Sequence, residues 1–214
     1  MSQHAGSQGA FDHLVVAAPT LSAGLDHAQA ALGVTIPQGG VHPLMGTHNH
    51  LVRLGDASFL EVIAPDPDAP APGRPRWFGL DQPPATPRLL HWVIRLPGLA
   101  ARRAELPDQL GPAIEQVRGD LRWLITVPED GSLPFGGAFL TVIDWSKPEQ
   151  ALPPRAMPGA GLALEALEVR HPQADRIAAL LAPVLQDPRI RFTPAPEIAL
   201  EAQIMGPDGL RRLR

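Results

Sequence analysis

The sequence predicts an α+β protein assembled from repeated units, each a strand, a helix and two or three antiparallel strands. Three observations predict it. The stretches "FDHLVVAAPTL", "LLHWVIRLPGL" and "LEALEVRHPQA" each run as an apolar strand into a proline and then into a helix-period segment. The stretches "FLEVI" and "FLTVI" differ only at their central residue, Glu61 in one and Thr141 in the other. Between the copies lie proline-rich segments, "APDPDAPAPGRPRWFGLDQPPATPR" and "DWSKPEQALPPRAMPGAG". Proline stiffens such segments and cannot sit inside a sheet ladder, so they divide the chain.

The units follow in order. Residues 1–10 read as a disordered lead, without the basic and apolar regions of a secretory signal. The first unit, 11–66, opens on the strand holding His13. Its helix has Thr20 as N-cap, Leu21, Leu25, Ala28 and Leu32 on one face, and Gly33 as its stop. A hairpin follows, "HNHLVRL" and "FLEVI". Strand period puts His48, His50, Val52 and Leu54 on one face, and Asn49, Leu51 and Arg53 on the other. Glu61 shares its face with Phe59 and Ile63. A carboxylate in such a patch needs a partner, since burying it alone costs several kcal/mol; a metal, a cationic ligand, an arginine or a solvent-lined cleft would each serve.

After the linker 67–87, the second unit, 88–146, repeats the first. His91 stands as far before Pro97 as His13 stands before Pro19. The interval from His13 to His91 also nearly equals that from Glu61 to Thr141, which favours duplication over coincidence. "DLRWLITV" supplies a further strand, and "PFGGAFL" reads as a turn or bulge rather than a phosphate-cradling loop. The linker 147–160 leads to a shortened third unit, 161–214. There Asp175 lies near a helix start, and Ile177, Leu180, Leu181 and Leu185 recur on one side.

Composition removes several function classes. A hydrophobic fraction of 44% with 19% charged residues suits a globular protein able to bury a core. At a net charge of −4 with the signs interspersed, there is no basic stripe for nucleic acid. The apolar runs are too short to span a membrane. With no cysteine there is no thiolate nucleophile, disulfide or Cys-based zinc site, which is compatible with the cytoplasm, and with no tyrosine there is no phenolic acid. No nucleotide cofactor is expected, because P-loop and dinucleotide fingerprints are missing, and no G-x-S-x-G elbow is present.

Among the histidines, His48 and His50 belong to an exposed hairpin face, His42 to a loop before a proline, and His171 to the turn before the third helix. His27 and His4 are expected to be solvated. The tryptophans Trp77, Trp92, Trp123 and Trp145 read as core or rim residues. Arg74 and Arg76 belong to a solvated linker or to a lid over an anionic substrate. A strand histidine such as His13 is either satisfied by a backbone carbonyl or a metal ligand, and the repetition at His91 raises the second possibility.

"FDHLVVAAPTL" followed by "GGVHPLMGTHNHLVRLGDASFLEVIAP" resembles the glyoxalase-like domain family of the vicinal oxygen chelate superfamily, with its D-H opening, H-P, G-T-x-N and L-E near a proline. The tail "LEVRHPQADRIAALLAPV … MGPDGLRRL" is similar to that family's shortened C-terminal unit. The resemblance implies repeated βαβββ modules whose paired curved mixed sheets form a cup, plus a shortened third βαββ unit. It implies a metal-dependent lyase, isomerase or dioxygenase, with a divalent ion (Zn, Fe, Mn, Ni or Mg) on His13, His91 and Glu61. Glu61 would also be the catalytic carboxylate, and His42, Asn49 and Thr141 would contact a small oxygen-rich substrate. Thr141 stands where a second carboxylate is expected, which opens the alternative of a metal-free small-molecule binder. Pairing of sheet edges into a homodimer is also left open.

Overall fold

A computed structural model of the chain describes residues 8–145 and 153–214. The expectations for His4 and for the central part of the second linker lie outside the described residues. The architecture is mixed α+β, dominated by sheet. Its strands are β1 (Ala10–Ala17), β2 (Gln38–His42), β3 (Thr47–Leu54), β4 (Phe59–Pro65), β5 (Arg88–Arg95), β6 (Ala113–Arg118), β7 (Leu121–Thr126), β8 (Thr141–Asp144), β9 (Gly159–His171), β10 (Ile190–Pro194), β11 (Ala199–Gly206) and β12 (Gly209–Leu213). Its α-helices are α1 (Leu21–Leu32), α2 (Leu99–Arg102), α3 (Pro153–Ala156) and α4 (Ala174–Leu181).

The strands hydrogen-bond in the order β12-β11-β9-β3-β4-β1-β5-β8-β7-β6, with β2 added to β3 and β10 to β9. β1 and β4 are parallel, as are β5 and β8, while the central pair β1 and β5 is antiparallel. The sheet curls until β2 and β6 meet, where the backbone of Gly40 lies against the Arg118 side chain.

Both faces of this sheet are covered. On the convex face, Leu14 and Val16 of β1, Leu60 and Val62 of β4 and Trp92 and Ile94 of β5 share one core with α1, α4 and β9–β12. On the concave face, Val15, Ala17, Ile63, Val93, Ile125 and Ile143 form a second core with Trp77, Phe78, Trp123 and Trp145. The central strand β1 is therefore apolar in nearly every position, as a strand covered on both sides must be.

The first helix forms as its sequence requires. Thr20 accepts a hydrogen bond from the Ala23 N–H, and Gly33 ends the helix in the left-handed region. Leu21, Leu25, Ala28 and Leu32 face the convex core. The helix-period segment of the second unit shrinks to the single turn α2 followed by a 3-10 turn, because Leu106 is forced into extended backbone before Pro107. The proline-rich stretch after β4 does more than span a gap. It folds through a 3-10 turn at Trp77–Gly79 and buries Trp77, Phe78 and Leu80 in the concave core. No helix among the described residues is long and apolar enough to cross a membrane.

Candidate functional site

The concave face opens into a cavity of about 440 Å³, its open mouth included. Phe59, Trp77, Phe78, Trp123 and Trp145 wall it, and His13, His42, Asn49, Glu61 and Arg118 bring polar atoms to it.

Strand alternation explains most of this placement. Asn49 and Leu51 turn inward from β3, and Phe59 and Glu61 from β4, as the period of two requires. His48 and His50 turn away: His48 lies 3.9 Å from Asp66, and the His50 Nδ1–H donates to the Ile36 carbonyl at 2.8 Å. Glu61 is 6% exposed, and one of its oxygens accepts the Asn49 amide N–H at 2.6 Å. The other Asn49 amide atom accepts the Gly40 N–H at 2.8 Å, which fixes which way the amide points. A side chain at Gly39 would run into that same Asn49 oxygen, so β2 can close over Asn49 only with glycine there.

The second Glu61 oxygen faces His13 Nε2 at 3.7 Å. His13 stacks on Phe59, with ring centroids 4.4 Å apart, and its Nδ1–H donates to Asp12 Oδ1 at 2.7 Å. That bond leaves Nε2 turned to the cavity. The Asp12 carboxylate is also held by the Trp145 Nε1–H at 3.1 Å and stands 3.7 Å from the Arg95 guanidinium. Neighbouring residues on a regular strand point to opposite faces. Here the pairing of β1 with β5 shifts register between Phe11 and His13, so Asp12 is an extra residue in a bulge and can turn back onto His13.

His42 donates or accepts at Thr47 Oγ1 (3.1 Å) and packs edge-on against Trp77. Burial first, then the charge of Arg118, pulls its pKa down to about 3, so the ring is neutral.

His91 and Thr141 stand elsewhere. His91 is fully buried behind Phe78, and neither residue lines the cavity. The His91 Nδ1–H donates to the Gly137 carbonyl at 3.2 Å, which leaves Nε2 to accept the Thr141 hydroxyl at 2.9 Å. Burial holds His91 neutral, with its pKa lowered to about 3. Gly137 is a requirement of this contact. Its φ is 97°, and a side chain there would strike the Leu90 carbonyl.

The expected metal set is thus only partly assembled. His13 and Glu61 come together, whereas both ring nitrogens of His91 are committed to Gly137 and Thr141. Among the described residues no three His, Asp or Glu side chains gather as a divalent ion requires. This donor set does not fit such an ion. Sequence reasoning missed Phe78 and Arg118 as cavity residues, and Asp12 as the partner that holds His13. The D-H pair was visible, but the alternation rule separates its two side chains.

The glyoxalase-like domain family model matches residues 11–185. Among solved structures, a hypothetical protein from Staphylococcus aureus superposes with a TM-score of 0.54 at 10% identity, covering 95% of this chain and 85% of that one. Methylmalonyl-CoA epimerase from Mycobacterium tuberculosis gives 0.42 at 18% identity over 67% of this chain and 90% of its own. A methylmalonyl-CoA epimerase in complex with methylmalonyl-CoA and NH4+ gives 0.43 at 19% identity, over 68% of this chain and 100% of its own. No curated protein matches the sequence significantly. The chain belongs to the glyoxalase-like domain family.

Proposed function

We propose that the cup binds a small organic molecule and that Glu61 moves a proton on it, with His13 as the adjoining acid–base group and no metal ion in the step. One observation carries this reading. Inside an aromatic-walled cavity, Asn49 holds one oxygen of Glu61 while the other oxygen and His13 Nε2 are left facing the same space. A carboxylate fixed at one oxygen and open at the other is positioned to take a proton from a bound C–H or O–H. His13, held in one tautomer by Asp12, offers a lone pair or a proton beside it.

The two site histidines have different tasks in this reading. His13 is reactive, and His91 is a structural clamp between β5, β8 and the turn at Gly137. Asn49 and His42 would contact the ligand, and Thr141 would act through His91. The antiparallel pairing of β1 with β5, each beside a parallel partner, supports two related units meeting at the middle of the sheet, with the third unit covering their convex side.

The test is proton exchange in D2O, followed by NMR, for a panel of small C–H acids bearing carbonyl groups. The chelator-treated wild type should exchange at least one of them, and Glu61→Gln should slow it by about 100-fold or more, the scale of a lost general base. Exchange that vanishes with chelator and returns with a divalent ion would reinstate the metal reading. A panel that binds without exchange would make the protein a binder.

A further inference from the structure

We propose that Arg118 is the anchor for a carboxylate, and that the cup's ligand is a small monoanionic acid with a planar apolar body. This deepens the reading above and rests on it.

Most polar groups of the cavity already have partners in the fold. Asn49 is shared between Glu61 and Gly40, His42 lies on Thr47, and the Nδ1 side of His13 belongs to Asp12. Arg118 differs. It is half-buried in the cavity wall at the end of β6, and its guanidinium lies over the Trp123 ring at 6.0 Å. Among the described residues it has no hydrogen bond and no ion pair. The nearby acid Glu115 faces Arg122 instead, at 3.8 Å.

The seam between β2 and β6 makes room for this arginine. A side chain on Gly40 would come within 3.1 Å of Arg118 Cδ and 3.2 Å of Nη1. The guanidinium is thus held at the junction of the two end strands, beside the cavity and over an indole face. A planar guanidinium with free N–H groups is matched by a carboxylate, which it can grip through two parallel hydrogen bonds.

Charge sets the ligand's orientation. A carboxylate placed next to Glu61 would be repelled by it, so the anionic end belongs at Arg118 and the neutral, proton-bearing end at Glu61 and His13. The cavity walls carry Phe59, Trp77, Phe78, Trp123 and Trp145, surfaces that favour a flat apolar body.

The experiment follows intrinsic tryptophan fluorescence of the full chain, since Trp77, Trp123 and Trp145 line the cavity. Phenylacetate and benzoate are titrated against their neutral isosteres phenylacetamide and benzamide. The acids should bind about tenfold or more tighter than the amides, the scale of a charge-assisted bidentate contact. Arg118→Met, which keeps the apolar stem, should erase that preference, and Arg118→Lys should retain part of it. Equal affinity of acid and amide in the wild type, or an acid preference that survives Arg118→Met, overturns the anion assignment while leaving the cup reading intact. Saturable binding that persists in Leu51→Trp, which fills the cavity, overturns the cup reading itself. A lack of saturable response to any of the four probes overturns both.

Discussion

Lowering the pH from 7 to 5 should destabilise this protein more than its carboxylates alone would allow. His42 and His91 are buried neutral, each with a pKa lowered from 6.5 to about 3, mainly by burial. In the unfolded chain both titrate normally. Between about pH 6.5 and 3 the unfolded state therefore binds more protons than the folded one, and stability falls as pH falls. The stabilisation is fully present above 6.5 and is lost progressively toward 3. At pH 5 each ring lies about 1.5 units below its unfolded pKa, and at about 1.4 kcal/mol per unit each loses roughly 2 kcal/mol. Two such rings remove about 4 kcal/mol, a large share of the 5–15 kcal/mol of a typical domain. His171, lowered by burial to a lesser degree, adds in the same direction. The lowered carboxylates Asp187 and Glu168 start from 3.8 and 4.5, so they act mainly below the pH 7 to 5 range of the experiment. Urea unfolding at pH 7, 6 and 5 measures the slope, and His42→Gln and His91→Gln should each remove close to half of it. A stability that stays flat from pH 7 to 5, or a slope that both variants retain, would refute the buried-neutral assignment.

Three further substitutions probe the site's supports. Gly137→Ala should cost about 2–4 kcal/mol in chemical denaturation, because it combines a left-handed φ with a clash against the Leu90 carbonyl. Thr141→Val keeps the shape but leaves His91 Nε2 without its donor, and should cost about 1–3 kcal/mol by the same assay. Asp12→Leu strands the His13 and Trp145 donors and the nearby Arg95; it should cost about 3–5 kcal/mol and broaden the His13 ring resonances in NMR as the tautomer is freed.

The first helix and the hairpin were legible because each rests on local rules. Thr20 and Gly33 bracket the helix, and the alternation in "HNHLVRL" correctly turned Asn49 inward and His48 outward. The cup's chemistry was harder to see, for two physical reasons. Asp12 joins His13 only through a bulge, and a bulge is a departure from the very periodicity that sequence reading uses. Phe78 and Arg118 reach the cavity from a proline-rich segment and from a seam between strands far apart in sequence. Such placements depend on the closure of the whole sheet, so no local pattern announces them. His91 stands apart from His13 and Glu61 for a related reason. The partner that occupies its lone pair, Thr141, lies 50 residues away, and the sequence offers it as a substrate contact in place of a carboxylate rather than as a partner of His91.

The two sides of the cavity are unlike. On the side of β1, β3 and β4, Asp12, His13, Asn49 and Glu61 form a connected polar chain with atoms left open to the cavity. On the side of β5, β7 and β8, the imidazole is neutral and sealed, and Phe78, Trp123 and Ile125 present apolar surface instead. A glutamate at position 141 would lose the hydroxyl donor to His91 and place a second carboxylate against apolar walls, a costly burial without a cation. Threonine avoids that cost and satisfies His91 within the fold. A symmetric cup would present matching donors from both halves to one central ion. This cavity instead presents Glu61 and His13 Nε2 on one wall and apolar surface on the other, with the guanidinium of Arg118 where the two ends of the sheet meet.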